Sequence, residues 1–227
     1  MPGKYMKGAL IQFTPTILIP IPNVIIFQYN PETIEHTWTQ PDTGGAAKAG
    51  STSNPQAIPA NPGEAFSFNL VMDANDDIGG GNPLASATGL YTRLAALEML
   101  LFPADPNQSL LGGLLGLGSS NQSRSVPSKI LPTALFVWGP FRILPVRMTS
   151  LSITENRYDA LLNPVHAEAK VALRVLTPDE LAAAASGNDP LATLGTIAYT
   201  YSQTERKVFA LANLANAVES IVGMLPT

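Results

Sequence analysis

The chain has no cysteine among its 227 residues. This absence excludes disulfide bonds, thiolate catalysis and cysteine-based zinc sites. Histidine is scarce too: the two residues, His36 and His166, both lie in segments that we predict to be strands. A catalytic histidine needs a nucleophile or a carboxylate that converges on it in a cleft. We therefore interpret both residues as strand histidines on a polar or interface face.

Charge is the second shortage. Charged residues make up 13% of the chain, against about 25% in an average soluble domain. One explanation is a composition rich in Ala, Gly and Pro, and the other is that much of the surface is buried in an assembly. The formal net charge is -4, and the 13 basic residues are scattered. Since binding to phosphates needs clustered Lys and Arg, we predict no nucleic-acid partner.

Long apolar runs are also missing. No apolar run reaches the roughly 18 residues that a membrane-spanning helix needs, so we predict no membrane partner. An apolar stretch follows Lys4 and Lys7, but polar residues and prolines interrupt it and no A-x-A cleavage site comes after it. We therefore expect an unprocessed chain that assembles in the cytoplasm.

The chain carries no motif of catalysis or cofactor binding. The patterns G-x-S-x-G and H-E-x-x-H and the P-loop are absent. Asp73, Asn75 and Asp77 have EF-hand spacing, but Ile78 replaces the turn glycine and Leu84 replaces the bidentate glutamate. Such side chains also form turns without an ion, by hydrogen-bonding their own backbone. We predict no catalytic residue, no cofactor and no metal site.

Strict alternation of apolar and polar residues predicts half-buried strands. The clearest case closes the segment 133–176, which we predict to be a three-stranded meander. Its last strand has one apolar face: Val165, Ala167, Ala169, Val171, Leu173 and Val175. Its opposite face is polar: His166, Glu168, Lys170 and Arg174.

Further strands are predicted over 7–13, 24–29, 33–39 and 64–72. The first has Ala9, Ile11 and Phe13 on one face. Pro20 and Pro22 cannot donate to a ladder, so their segment is an edge or a loop. Over 88–102 the period becomes helical, with Leu90, Leu94, Leu97 and Leu101 in one stripe, Ser86 as the N-cap and Pro103 as the stop.

The last part of the chain changes character. Thr177 and Glu180 fit a capping box with Pro178 at the first helical position, which predicts a short helix ending at Gly187. Ser202 and Glu205 fit a second capping box, which predicts the start of a terminal helix. We expect that helix to pack against a second protein. Its apolar stripe is Val208, Leu211, Ala215, Val218 and Val222.

The order of elements predicts an α+β protein with a mainly antiparallel β-barrel or sandwich and a helix packed against it. The β domain covers residues 1–176, and a helical extension covers 177–227. Two Gly- and Ser-rich segments, 40–63 and 106–128, are predicted to be long loops. Loops of this length are usually functional or disordered.

Several patches in a fixed order resemble a known family. KGALIQF is followed by VIIFQYNPETIEHTWTQ, EAFSFNLVMDAND and the stretch that begins PTALFVWGPF. Together they resemble the tube-type baseplate proteins of contractile injection systems, the phage-tail-like particles. Phe27, with Asn30 and Pro31 displaced by one or two positions, is similar to the F-N-P-x-x-[IL] turn of that family. Phe66, Phe68 and Asp73 are similar to a strand of the family that ends in Asp.

The most specific patch is the F-x-W-G strand of the family, which Phe136, Trp138 and Gly139 match. The resemblance covers roughly residues 4–176. It implies an inner-tube fold in which six copies form a ring, and their strands join into one continuous β-barrel lining a channel. The ring lies between the spike hub and the inner tube and starts tube assembly.

The resemblance thus implies a structural role without catalysis. The implied partners are further copies of this chain, the inner tube protein, the spike or hub protein, and wedge or sheath proteins, which the long loops would reach. We expect Glu168, Lys170 and Arg174 to face the channel. Family members often carry a C-terminal LysM module, but residues 177–227 do not show its pattern. A bulk inner tube subunit is an alternative, and a carbohydrate-binding or enzymatic α+β domain is a further one.

Overall fold

A computed structural model describes residues 5–14, 21–41, 60–102, 131, 133–184 and 190–224. It contains seven strands and five helices in this part of the chain. The strands are β1 (Ala9–Thr14), β2 (Ile21–Ile26), β3 (Ile34–Thr39), β4 (Gly63–Asp73), β5 (Ala134–Val137), β6 (Ile143–Tyr158) and β7 (Pro164–Val175). The helices are α1 (Ala74–Gly79), α2 (Pro83–Thr88), α3 (Tyr91–Glu98), α4 (Pro178–Ala184) and α5 (Pro190–Met224).

The seven strands form one antiparallel sheet in the order β2-β1-β5-β6-β7-β4-β3. The predicted α+β class and the predicted meander, β5-β6-β7, are confirmed. The prolines at 20 and 22 indicated an edge or a loop, and β2 does lie at one edge of the sheet. The other edge is β3, so the sheet does not close into a barrel within one chain.

The sheet is strongly curled. β6 and β7 lie between β5 and β4. In a flat sheet β5 and β4 would therefore be about 14 Å apart. The rings of Phe66 on β4 and Phe136 on β5 nevertheless have centroids 5.2 Å apart. Phe68 stacks on the same Phe136 ring at 5.5 Å. These contacts show that the concave face closes over an aromatic core, which both strands line.

Helices α2 and α3 replace the single helix predicted over 88–102. Gly89 separates them with a φ of +55°, and a side chain there would collide with the carbonyl oxygen of Pro164. The N-cap is Asn82, which begins α2, whereas Ser86 lies inside that helix. The predicted apolar stripe is largely correct, because Leu90, Leu94 and Leu97 are buried. The fourth buried leucine is Leu100 instead of the predicted Leu101.

The alternation predicted which face is buried on most strands. On β7, Ala167, Ala169, Val171, Leu173 and Val175 are buried, and on β4 Phe66, Phe68, Leu70 and Met72 are. On β1 the core contains Leu10 and Gln12, and Ile11 lies on the opposite face. The side chain of Phe13 lies outside the described residues. The pairing of Leu10 with Phe136 explains why Leu10 faces the core, because directly opposed residues of neighbouring strands lie on the same face of the sheet.

The capping box that starts α4 is confirmed. The backbone N–H of Thr177 donates to Glu180 Oε2 at 3.0 Å, and the N–H of Glu180 donates back to Thr177 Oγ1 at 3.4 Å. Residues 185–189, with the predicted stop at Gly187, lie outside the described residues. The second capping box is wrong, because α5 begins at Pro190 and Ser202 is buried in its middle.

The predicted loops 40–63 and 106–128 fall mostly outside the described residues. In the part of the chain that the structure describes, no helix combines the length and the apolar character needed to cross a membrane. The side chains of Ala215, Val218 and Val222, which we placed in the stripe of the terminal helix, also lie outside the described residues.

Candidate assembly surface

The convex face of the strands β6, β7, β4 and β3 is polar. The strand registers place Ser152, Lys170 and Asn69 in one row across the sheet, and Thr154 and Glu168 in the next row with Val71. These side chains point away from the aromatic core, and the five polar ones are exposed. A polar, mostly uncharged surface of this kind has no second layer to cover it in the described chain. It is compatible with the wall of a water-filled channel.

Among the residues that the structure describes, this four-stranded part of the sheet has two open edges. One is β3, which pairs on one side only, with β4. The other is the distal half of β6. β5 pairs with β6 between Ile143 and Val146, whereas β7 continues to pair as far as Tyr158. The segment from Ser150 to Tyr158, the distal β6 edge, therefore pairs on one side only, and unpaired strand edges are templates for further strands.

The two edges are staggered along the strand direction. The middle of β3 lies level with Leu173 and Arg174, and the middle of the distal β6 edge lies level with Glu168. This offset of about five residues corresponds to roughly 17 Å at the rise of a strand. Four strands are about 19 Å wide, so copies joined at these edges would have strands tilted about 40° from the ring axis. A tilt of this size is typical of closed barrels.

The three residues predicted to face a channel share the convex face. Glu168 and Lys170 are exposed, without an ion-pair partner in the described chain. Arg174 is different, because its guanidinium forms an ion pair with Glu180 of α4. Burial raises the pKa of Glu180, but the N–H of Thr177 and the charge of Arg174 outweigh it and lower that pKa overall. Arg174 therefore helps to attach α4 to the sheet.

The family-like aromatic residues lie in the core of a single chain. Phe27 and Phe136 are buried, and Trp138 is half-buried between them, with ring centroids 6.4 and 6.3 Å away. Gly8 packs against the same group, since a side chain there would meet atoms of Phe27 and Trp138 at 2.7 Å. In the described chain Trp138 therefore contacts the core.

The other three family-like residues lie in turns. Asn30 ties the N-terminal segment to the turn after β2: its Oδ1 accepts from Gly8 N at 2.9 Å, and its Nδ2 donates to Met6 O at 2.8 Å. Pro31 lies in the same turn, at the edge of a groove on the convex face. Gly139 has a φ of +73°, which lets the chain turn from β5 into β6.

Gln28 closes part of the gap between the two ends of the curled sheet. Its Nε2 donates to Asp73 O at 2.8 Å, and its Oε1 accepts from Asp73 N at 2.9 Å. The side-chain amide thus pairs with β4 as a neighbouring strand would, five residues past Phe68, which lies opposite the first residue of β3. Arg93 Nη1 also donates to Gln28 Oε1 at 2.7 Å, which fixes the amide against α3.

The sequence reasoning missed a buried ionic cluster at the opposite mouth of the sheet. Glu64 is 3% exposed on the core face of β4. Its carboxylate accepts from Arg206 of α5 through both oxygens and from His36 Nε2 at 2.8 Å. The Arg206 guanidinium lies 4.7 Å from the Trp38 ring. The sequence did indicate this position. Glu64 is two residues before Phe66 and four before Phe68, so strand alternation places it on the same, buried face.

The pKa of His36 is lowered in this cluster. Burial lowers the pKa of His36, and the charges of Arg142 and Arg206 act in the same direction, whereas Glu64 opposes them. Its ring stacks on Phe66 with centroids 4.2 Å apart. The prediction of a polar or interface face is therefore wrong for His36, which helps to hold β3 against α5.

His166 fits the prediction better, since it lies on the convex face opposite Asp73. The Asp73-Asp77 segment forms the N-terminus of α1 instead of a loop. Asp73 Oδ1 accepts from Asn75 N at 2.8 Å, which is the side-chain-to-backbone hydrogen bond that we predicted for this segment, and Asp77 pairs with Arg93. In the described part of the chain no group of three or more His, Cys, Asp or Glu side chains is placed to hold a metal.

Two grooves open on the described surface, and the larger of them is lined by Glu32, Glu35, Glu168 and Lys170. One, of about 300 Å³, lies between β2, β4 and α3, and has Arg93 as its one ionisable lining residue. The other, of about 630 Å³, lies on the convex face beside Lys170 and Glu168. Neither is lined by His36 or Glu64. No protein-family profile matches the chain, and no curated protein matches it at a significant level.

Proposed function

We propose that the chain is a structural baseplate component of a contractile injection system. In this proposal its copies form a ring between the spike hub and the inner tube, and the ring starts tube assembly. The observation that carries the proposal is the four-stranded part of the sheet, with its polar convex face and two staggered open edges. The family-like patches are the second support.

The directions of the strands are compatible with such a ring. Successive strands from β6 to β3 are antiparallel, so β3 runs opposite to β6. When β3 of one copy is placed beside the distal β6 edge of the next, the new pair is also antiparallel. Two different edges meet, and heterologous contacts of this kind form a ring when the rotation between copies closes.

The ring has an expected size. With six copies, as the resemblance implies, 24 strands tilted by about 40° and spaced about 4.8 Å apart enclose a cylinder with a backbone diameter of roughly 45–50 Å. The polar face, with Lys170 and Glu168, lines the channel, which requires these four strands to bend opposite to their curl in the single chain. The inner tube protein and the spike or hub protein contact the two ends of this ring, and wedge or sheath proteins contact its outside.

Cysteine cross-linking tests the joint, because the chain has no cysteine of its own. Thr37 lies exposed near the middle of β3, and Thr154 and Ser152 lie exposed on the distal β6 edge. We expect Thr37→Cys combined with Thr154→Cys or Ser152→Cys to give, on oxidation, a ladder of oligomers that ends at six. Negative-stain images should show rings with the channel size given above.

Each single variant is the matched control. Two different edges meet in the proposed joint, so Thr37→Cys alone and Thr154→Cys alone should give no ladder. Cross-linking of the single variants to dimers would show a symmetric edge contact instead. A chain that stays monomeric at high concentration and gives no ladder in either double variant would count against the proposed ring.

A further inference from the structure

The side of helix α5 that packs against its own domain contains small and polar residues. Gly195, Ala198 and Ser202 are buried on this side. A side chain at Gly195 would meet Leu181 of α4 at 3.0 Å. Ser202 Oγ accepts from Ile143 N at 3.0 Å and donates to Ile143 O at 2.7 Å, which attaches the helix to β6. The contacts that hold α5 to the domain are therefore hydrogen bonds, an ion pair and close backbone approach, together with Tyr199 packed against the core and the Phe209 ring edge-on to Phe141 at 5.2 Å.

The side of α5 that faces away from the domain is apolar. We call it the outer stripe, and it comprises Leu194, Ile197, Tyr201, Val208 and Leu211. Tyr201 lies at the edge of the stripe, because its hydroxyl donates to Pro140 O of the same domain at 3.0 Å. Leu211 is 67% exposed and Ile197 60%, and the other three are between 39% and 51% exposed. At about 100° per residue, the stripe is centred some 130° around the helix from Ser202. An amphipathic helix of a solitary domain has the opposite arrangement, with its large apolar residues turned inward.

The spacing of the outer stripe identifies the kind of partner. With Thr204 included, the residues from Leu194 to Leu211 are spaced alternately three and four positions apart. This spacing is the heptad pattern of helices that pair along a seam in a coiled coil. Thr204 suits such a seam, because its hydroxyl donates to Thr200 O at 2.9 Å and leaves the methyl group facing outward. A second helix with a matching seam fits this surface better than a strand or a flat sheet would.

We propose that the outer stripe pairs with the same stripe of a second copy, in an antiparallel arrangement around a two-fold axis. One register matches every layer of the seam. Leu194 meets the partner's Leu211, Ile197 meets the partner's Val208, and Tyr201 meets the partner's Thr204. By symmetry each layer occurs twice. An antiparallel pair with this register buries an apolar side chain against an apolar one at four of its six layers.

Charge and area support a second copy as the occupant. Lys207 and Glu205 flank the seam on opposite sides, and in this register they lie beside Thr200 and Ala198 of the partner subunit, so no like charges meet. The stripe exposes on the order of 600 Å² of apolar side chain, close to the roughly 800 Å² per partner of a standard interface. It is also at the upper end of what a monomer leaves exposed.

The proposed helix pair does not depend on the proposed ring, because the ring uses the sheet edges and the pair uses α5. The test again uses cysteine variants of the full chain. In the antiparallel register Ile197 lies opposite the partner's Val208. An equimolar mixture of Ile197→Cys and Val208→Cys should therefore give a disulfide-linked dimer on oxidation, whereas either variant alone should not.

A parallel pair would give the reverse result, since each single variant would then form dimers with itself. That outcome would overturn the antiparallel register. No dimer in the mixture, together with a monomer by light scattering at the same concentration, would overturn the proposal and assign the stripe to a different protein.

A charge on the stripe gives an independent measurement. Leu211→Lys places a charge in two layers of the pair, and we expect it to raise the dimer dissociation constant at least about tenfold in analytical ultracentrifugation. The matched control is Ala210→Lys, an exposed neighbour that points away from the stripe. Equal weakening by both variants would contradict the proposal. The cross-link between β3 and β6 should be unchanged in Leu211→Lys, which separates this proposal from the ring.

Discussion

The buried cluster around Glu64 gives the sharpest test of how the sheet is held to α5. Replacing Arg206 by methionine keeps the length of the side chain but removes the cation. Glu64 would then keep a single partner, His36, in a site where its side chain is 2% exposed. Removing one member of a buried ion pair typically costs 3–5 kcal/mol. Since Arg206 itself is 29% exposed, we expect a loss near the lower end, about 3 kcal/mol.

That loss corresponds to a fall in the melting temperature of about 6–12 °C for a chain of this size. Urea denaturation at about pH 8, where His36 is neutral, measures the free energy of unfolding directly. Lys207→Met is the matched control, because it removes a positive charge from the next, exposed residue of the same helix. We expect the control to change the free energy of unfolding by less than about 0.5 kcal/mol.

The pH dependence of the variant's stability should differ from that of the wild type. In the wild type the pKa of His36 is lower in the folded chain, so the unfolded chain binds the proton more readily. This residue therefore lowers wild-type stability as the pH falls below about 6.5. In Arg206→Met the repulsion by Arg206 is gone and Glu64 has a free carboxylate oxygen, so the pKa of His36 rises.

The difference in the free energy of unfolding between the wild type and Arg206→Met should consequently become smaller as the pH falls from about 8 to about 5.5. The chain has only two histidines, so NMR titration can follow the pKa of His36 directly. The reasoning is refuted if Arg206→Met loses less than about 1 kcal/mol at pH 8, or if the pKa of His36 does not rise in the variant.

Two further substitutions test the aromatic core. Trp138→Asp places a charge between Phe27 and Phe136, so we expect a loss of at least about 3 kcal/mol or no soluble protein; a stable variant by urea denaturation would show that the ring is not part of the core. Gly8→Ala should cost about 2 kcal/mol, because the new methyl group meets the rings of Phe27 and Trp138 at 2.7 Å. Gly139→Ala, at a φ of +73° with open space around it, should cost only about 1 kcal/mol, and a greater loss there than at Gly8 would contradict the packing.

The sequence predicted the elements whose signal is local. β4 and β7 alternate without interruption, so their buried faces follow from period two alone. The Thr177–Glu180 box was also readable, because all of its atoms belong to four consecutive residues. Pro22 correctly indicated an edge strand, since its missing N–H is a property of the residue itself.

The sequence did not predict features that depend on distant contacts. Ser202 and Glu205 have the letters of a capping box, but the Ser202 hydroxyl bonds to Ile143, which is far away in the chain. Gly89 interrupts the leucine stripe because the backbone approaches Pro164 there. The curl of the sheet and the two open edges depend on strand order, which the alternation of single strands does not contain.

The register shift between Met148 and Ser150 is a β-bulge in β6. It lies where β6 leaves β5, and bulges bend a strand and increase its local twist. Any strand that pairs with the distal half of β6 must therefore end at this bulge. Beyond it the edge of β6 is already paired with β5, and the bulge has changed the direction of the strand. The bulge would therefore fix the register of an added strand. The side chains alone would not, because Ser150, Ser152 and Thr154 are nearly equivalent.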